Sequence, residues 1–206
     1  MQVFLVRHGQ TQWNVEGLLQ GSSDIPLTAL GRRQAESAAA ALVGRVGDNP
    51  IIVASPLERA RHTAHALADR LRVDVVVDDR LRERAYGVWE GVTPEERQRR
   101  WPDEVALWHA HGDPMLPGFE EHSAVQSRMI AGVEDWTDKA EEQGRTLVAF
   151  AHGSLHPRRT SRAASPSADP PHARQSGQHG LVAGSPAGSA AIGLSTATTS
   201  PQRRWR

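Results

Sequence analysis

Residues 3–9 read Val-Phe-Leu-Val-Arg-His-Gly, and these seven residues are the strongest indication of how the chain folds. The short apolar run is typical of a buried strand. Arg7, His8 and Gly9 follow at once, so the carboxyl end of the strand carries a cation, an imidazole and a turn residue. In parallel sheets ligands bind beyond the carboxyl ends of the strands. The stretch therefore predicts that a nucleophile and an anion-binding group share one loop.

The same arrangement recurs twice. Residues 51–54 form a second apolar run that ends at Ser55, with Arg59 close behind, and residues 147–151 form a third that ends at His152. Short strands that alternate with helical patterns indicate βαβ units. We predict an α/β fold, a mostly parallel sheet with helices on both faces, in which separate strand ends bring two histidines and at least two arginines to one crevice.

Helical spacing and capping residues predict the intervening elements. They are a helix that begins at Thr28, a helix from about Glu58 to Leu71, a strand from Val73 to Val77, a helix between Thr93 and Pro102, and a helix from Ser123 to Gly144. Ser123 and Gln126 have the spacing of a capping box. Arg59 would lie in the first helical turn after its strand.

Composition limits the possible classes of protein. The 206 residues are enough for one sizeable α/β domain, and 24 basic residues balance 24 acidic ones, which favours neither a nucleic-acid nor a membrane partner. The chain has no cysteine, so disulfides and thiolate metal sites are excluded. Neither a signal pattern nor a membrane span is legible. We expect a soluble, cytoplasmic protein.

The composition changes after residue 154. Residues 155–206 contain five Leu, Ile or Val residues, six prolines, eight serines and seven arginines. Such a segment buries too little apolar surface to offset its ordering entropy. We predict a catalytic domain over residues 1–154, incomplete at its carboxyl end because a final helix and strand are missing, and a disordered tail over residues 155–206. A shifted reading frame near residues 154–157 would produce such a change.

The residues at the strand ends suit phosphoryl transfer. A neutral imidazole attacks phosphorus well when its other ring nitrogen is held, and cations stabilise the charge on the transferring group. His8 is the candidate nucleophile, and Arg7, Arg59 and His152 are candidates to hold the anion. The leaving oxygen needs a proton, for which Glu83 and Glu90 are candidates. We favour Glu83 as the acid and interpret Glu90 as a structural residue.

Five blocks of sequence, in order over residues 2–154, resemble the histidine phosphatase superfamily, in its phosphoglycerate mutase-like branch. The blocks are Arg7-His8-Gly9-Gln10-Thr11 with Asn14; Gln20-Gly21 with Asp24, Pro26-Leu27-Thr28, Gly31 and Gln34-Ala35; Ser55-Pro56-Leu57 with Arg59-Ala60 and Thr63-Ala64; Leu81-Arg82-Glu83 with Tyr86-Gly87 and Trp89-Glu90-Gly91; and His152-Gly153. The order of these blocks makes the resemblance specific.

The resemblance implies a set of roles. It implies that His8 becomes phosphorylated, that Arg7, Arg59 and His152 hold the phosphate, and that Glu83 is the acid. The residues that it implies for substrate binding are Thr11, Asn14, Gln20 and Gly21. It implies neither a metal nor another cofactor.

Two reactions remain open within the family, because a mutase returns the phosphoryl group to a product hydroxyl and a phosphatase lets water take it. Mutases usually carry an Asn-Lys pair after the Tyr-Gly block and a long insertion. Here Val92 and Thr93 follow Gly91, and only 31 residues separate Gly91 from Ser123. We therefore predict a phosphatase of a small phosphorylated metabolite, with neither nucleic-acid nor membrane partners, and leave a homodimer open. A phosphoglycerate mutase or an inactive phosphate-binding remnant is the alternative.

Overall fold

The computed structural model describes residues 1–153 and 194–198, and five strands in this part of the chain form one sheet. The strands are β1 (Gln2–Arg7), β2 (Ile51–Ala54), β3 (Val75–Val77), β4 (Leu147–Ala151) and β5 (Leu194–Thr198). Their order across the sheet is β3-β2-β4-β1-β5. The first four run parallel, and β5 pairs antiparallel with β1. This confirms the predicted α/β class.

Two expectations about the strands were wrong. The strand predicted from Val73 begins at Val75, because the Val73 N–H bonds to the Ala68 carbonyl and completes the end of the preceding helix. Residues 194–198, which lie in the segment expected to be disordered, form the strand β5. An edge strand needs only backbone pairing on one side, so its sequence need not be strongly apolar. The remainder of the predicted tail and the expected loss of a final helix fall on residues outside the described part of the chain.

Most of the helices lie where the helical spacing of the sequence predicted them. They are α1 (Gln12–Val15), α2 (Ala29–Val43), α3 (Glu58–Leu71), α4 (Pro94–Arg100), α5 (Pro102–His109) and α6 (His122–Glu142), with short 3-10 turns at Asp79–Leu81 and Gly87–Trp89. Thr28 caps α2 as predicted, since its hydroxyl accepts a hydrogen bond from the Gly31 N–H at 3.0 Å. α3 has the predicted bounds. No helix in residues 1–153 is both long and apolar enough to cross a membrane.

The region between residues 93 and 123 differs in two ways. Pro102 does not only end a helix; it also begins α5, where proline is tolerated in the first turn. The predicted capping box at Ser123 and Gln126 was wrong, because α6 begins at His122 without a side-chain cap of its own. Instead the Asp113 carboxylate accepts a hydrogen bond from the His122 N–H at 2.8 Å. The cap of α6 therefore comes from a preceding loop.

Apolar side chains cover both faces of the sheet. On one face Phe4, Ile52 and Phe150 pack with residues of α2 and α3 such as Leu42 and Leu67. The other face is covered by α6 and the 3-10 turn at Asp79–Leu81. Its buried members are Val3, Ile51, Val53, Leu81, Ala140, Leu147, Ala149 and Ala151. Because both faces are buried, the carboxyl edge of the sheet is the place where loops can form a site.

Candidate active site

The predicted site residues meet at the carboxyl edge of three neighbouring strands. β4 lies between β1 and β2, and the backbone ladder continues just past their ends. The His8 N–H bonds to the Ala151 carbonyl at 3.2 Å, and the Ser55 N–H bonds to the Phe150 carbonyl at 2.9 Å. The rings of His8 and His152 are 5.2 Å apart between centroids. Segments far apart in sequence therefore place two imidazoles side by side.

His8 is held as a neutral ring with one defined proton. Its side chain is buried, and Nδ1 lies 2.7 Å from the Gly9 carbonyl oxygen. A carbonyl only accepts, so Nδ1 carries the proton and Nε2 keeps its lone pair. Burial, assisted by the nearby cations Arg59 and Arg7, lowers the pKa of His8 to about 3. The neutral ring therefore has an available lone pair, and no acidic proton on Nε2, near neutral pH.

Arg59 is inside the protein and not on the surface of α3. The Asp24 carboxylate accepts a hydrogen bond from the Glu58 N–H at 2.6 Å and so caps α3 from a distant loop. In the first turn, Arg59 is fully buried and donates from Nη1 to the Ser23 carbonyl at 2.7 Å and from Nη2 to the Gly21 carbonyl at 2.9 Å. Its Nε has no hydrogen-bond partner among the described residues. A fixed cation whose Nε–H has no protein partner is suited to bind an anion.

Glu90 fixes the loop to which Arg59 is bonded. Its carboxylate accepts hydrogen bonds from the backbone N–H groups of Ser22 and Ser23 at 2.9 Å and of Tyr86 at 3.0 Å. Burial raises the pKa of Glu90, but these bonds and those from the two serine hydroxyls leave it below its ordinary value. Gly21 has φ of +50°, and a Cβ there would lie 2.0 Å from Glu90 Oε1. Glu90 therefore has the structural contacts that the sequence analysis expected.

Glu83 has the opposite electrostatic environment. Its Oε1 accepts one hydrogen bond, from the Arg84 N–H at 2.9 Å. Burial raises the pKa of the Glu83 carboxyl, although the Arg84 bond and the charges of Arg59, Arg7 and Arg128 oppose that rise. A carboxyl group whose pKa is raised can carry a proton to a leaving group near neutral pH. The surroundings of the two candidate acids thus shift their pKa values in opposite directions, upward for Glu83 and downward for Glu90.

His152 is held by Ser55, a residue whose role was not predicted from the sequence. Its Nε2 lies 2.7 Å from Ser55 Oγ, and Nδ1 is buried without a partner in the described part of the chain. Burial, followed by the proximity of His8, Arg59 and Arg7, lowers the pKa of His152 well below its ordinary value. The charges of Arg7 and Arg59 influence the pKa values of both histidines and of Glu83, so these five groups lie within electrostatic reach of one another.

The predicted substrate-binding residues form a connected cluster beside α1. Thr11 caps α1, and its hydroxyl donates to Gln20 Oε1 at 2.8 Å. The Asn14 side-chain oxygen accepts from the Thr11 N–H at 3.0 Å. Gly21 follows Gln20 and gives its carbonyl to Arg59. The structure brings Thr11, Asn14, Gln20 and Gly21 together.

Thr63 is a further residue that sequence reasoning missed. Its hydroxyl donates to the Arg59 carbonyl at 2.7 Å and accepts from the Gly9 N–H at 3.2 Å. The threonine therefore ties the loop of His8 to the helix of Arg59. The four-residue spacing from Arg59 to Thr63 places both on one helix face, which was the available sequence signal. Across residues 1–153 and 194–198, no group of three or more His, Asp or Glu side chains could hold a metal ion.

The protein is an α/β protein with a mostly parallel sheet. Cations surround a buried imidazole at the strand ends, and such a site is suited to bind a small anion. Comparison with known proteins gives the family. A model of the histidine phosphatase superfamily (branch 1) matches residues 3–173, which extends past the change of composition at residue 154. The chain belongs to the histidine phosphatase superfamily.

Relatives within this family include phosphatases and mutases. The chain is 36% identical over 152 residues to an uncharacterized phosphatase, PhoE, of Bacillus subtilis strain 168, covering 74% of this chain and 72% of the relative. It is 38% identical over 158 residues to a probable phosphoglycerate mutase, GpmB, of Enterobacter sp. strain 638, covering 74% and 70%. A solved structure of mycobacterial glucosyl-3-phosphoglycerate phosphatase with VO3 matches with a TM-score of 0.64 at 36% identity, covering 75% of this chain and 77% of that one.

Proposed function

We propose that this protein hydrolyses small phosphate monoesters through a phosphohistidine formed on His8. The observation that carries the proposal is the hydrogen bond from His8 Nδ1 to the Gly9 carbonyl, which leaves Nε2 with a lone pair beside Arg7, Arg59 and His152. Membership of the histidine phosphatase superfamily and the phosphatase relatives support the same reaction.

In the first step Nε2 of His8 forms a bond to phosphorus as the ester P–O bond breaks. Glu83, protonated because burial raises its pKa, gives its proton to the leaving oxygen. Arg7, the free Nε of Arg59, and His152 stabilise the charge on the equatorial phosphoryl oxygens. In this mechanism the Ser55 hydroxyl donates a hydrogen bond to His152 Nε2, which lies 2.7 Å from it, so that Nδ1 of His152 carries the ring proton and donates a hydrogen bond to the phosphate.

In the second step water attacks the phosphorus and gives a proton to the Glu83 carboxylate. The N–P bond breaks, and its electron pair returns to His8 Nε2. Inorganic phosphate leaves and the enzyme regains its starting protonation. No step requires a metal ion or another cofactor, so turnover should continue in the presence of a chelator.

The test is turnover of p-nitrophenyl phosphate in EDTA, together with acid-quench trapping of labelled enzyme. We expect hydrolysis and an acid-labile phosphoenzyme in the parent, and neither in His8→Asn. Interconversion of 2- and 3-phosphoglycerate at a rate above hydrolysis would favour the mutase alternative instead. A folded protein that binds phosphate but never becomes labelled would overturn the proposal and leave the binding remnant.

A further inference from the structure

We propose that Arg128 is a positioning residue that holds Glu83 at the site, an inference that rests on the function proposed above. Arg128 lies on α6, and its side chain is 14% exposed. Its Nη1 donates to the carbonyls of Arg80 at 2.9 Å and Arg82 at 2.6 Å, and its Nη2 donates to the carbonyl of Glu83 at 3.1 Å. One guanidinium therefore binds three main-chain carbonyls, at Glu83 and just before it.

Glu120 completes this support. Its carboxylate accepts from Arg128 Nε at 2.7 Å and from Arg128 Nη2 at 2.8 Å, and it also accepts from the Ala85 N–H at 3.2 Å. The Glu120 N–H donates in turn to the Ala85 carbonyl at 2.9 Å. The Arg128–Glu120 pair thus forms hydrogen bonds to the main chain on both sides of Glu83. A bidentate pair fixes its geometry more firmly than a single contact would.

Glu83 needs such support because no regular element carries it. His8, Ser55 and His152 follow strands whose ladder fixes their backbone, whereas Glu83 lies between two short 3-10 turns. A displacement of about 1 Å in a reacting group can lower a rate by about a hundredfold. The bonds of Arg128 to three successive or nearly successive carbonyls take the place of the missing ladder.

The role of Arg128 is geometric, and its charge acts in the opposite direction to the requirement for a protonated acid. The cation opposes the rise in the pKa of Glu83. Arg128→Lys keeps the charge but has no planar fork, so it cannot reach the three carbonyls and both Glu120 oxygens together. This substitution separates positioning from electrostatics.

The experiment compares kcat/KM for phenyl phosphate and p-nitrophenyl phosphate, because this ratio reports the steps up to departure of the leaving group. The two substrates have nearly the same shape, but the nitro group makes its phenolate a much better leaving group, so the acid matters more for phenyl phosphate. We expect Arg128→Lys to lower kcat/KM roughly 10- to 100-fold for phenyl phosphate and by less than about threefold for p-nitrophenyl phosphate. If Arg128→Lys folds poorly, Glu120→Gln takes its place in the comparison. This variant keeps Arg128 and should produce the same selective loss.

Arg145→Lys is the matched control. Arg145 also donates to main-chain carbonyls, of Asn49 at 2.8 Å and of Pro50 at 2.9 Å, but it precedes β4 and so lies at the opposite edge of the sheet. Arg145→Lys should leave kcat/KM unchanged for both substrates or change it by the same factor.

A double substitution gives the decisive outcome. In a Glu83→Gln background, Arg128→Lys should cause no further selective loss on phenyl phosphate, because the acid is already absent. Equal losses on both substrates in Arg128→Lys, or a full additional loss in the double variant, would overturn the positioning role. If Glu83→Gln itself lacks the selective loss, it is the proposed acid that fails.

Discussion

Ser55→Ala offers a direct test of how His152 is held. Ser55 is fully buried, and its hydroxyl lies 2.7 Å from His152 Nε2 and accepts from the Leu57 N–H at 3.3 Å. Alanine keeps the Cβ and removes only the oxygen, so the packing changes little. Two buried nitrogen atoms lose their partner in one substitution.

The size of the effect follows from those two nitrogens. A buried polar group left without a partner costs about 1–3 kcal/mol, and we expect a loss of about 2 kcal/mol in the free energy of unfolding. For a domain of this size that is a fall of about 4–8 °C in Tm. His152 also loses the contact that orients its ring, so kcat/KM for p-nitrophenyl phosphate should fall roughly 10- to 100-fold.

The assay pairs thermal unfolding with steady-state turnover, and Ser37→Ala serves as the control. The Ser37 hydroxyl donates to the Arg33 carbonyl at 2.9 Å on an exposed turn of α2, so the same atom is removed where water can replace it. That variant should keep the Tm and kcat/KM of the parent. If Ser55→Ala had the same Tm and kcat/KM as Ser37→Ala, Ser55 would not hold His152 in place.

Two further predictions concern Gly21, in the loop that Glu90 holds, and the buried His8. Gly21→Ala should lose about 1–2 kcal/mol from its left-handed backbone, and more because the new Cβ meets Glu90; urea unfolding checks this against Gly44→Ala, which has no atom within 4 Å of the new methyl group. His8 has a folded pKa of about 3 against an ordinary 6.5, so its contribution to stability is complete above pH 6.5 and is lost as the pH falls toward 3. His8→Asn should therefore reduce the fall in unfolding free energy between pH 7 and pH 5, by up to about 1.4 kcal/mol per pH unit, and identical slopes in parent and variant would contradict a buried neutral ring.

β1, β2, β4 and the two long helices of the first half, α2 and α3, were predictable because their apolar residues pack in the core. Residues 51–54 are all buried, and the apolar spacing from Ala60 to Leu67 keeps one face of α3 in the core. The place of Arg59 in the first turn of α3, close to the end of β2, was also predictable, whereas its complete burial was not. Local patterns suffice wherever an element contacts the core through its own side chains.

The misses share a different cause. The cap of α6 comes from Asp113 and that of α3 from Asp24, so neither lies in the residues next to the helix end. β5 pairs with β1, and this contact joins segments nearly 200 residues apart. The partners of His152 and Glu83, which are Ser55 and Arg128, are fixed only when distant segments pack. Tertiary contacts carry this information, and a single sequence does not display them.

This division extends to the chemistry of the site. Arg7, His8 and His152, three of the groups proposed to receive and hold the phosphoryl group, lie at strand ends, so the sheet fixes where they stand relative to one another. The proposed acid, Glu83, depends instead on Arg128 and Glu120, and the loop that fixes Arg59 depends on Glu90. Substitutions in these supports should therefore affect particular steps, proton delivery or anion binding, while the fold persists. Substitutions beneath His8 or His152 should affect stability and all of the chemistry together, because there the support of the site and the core of the protein are the same atoms.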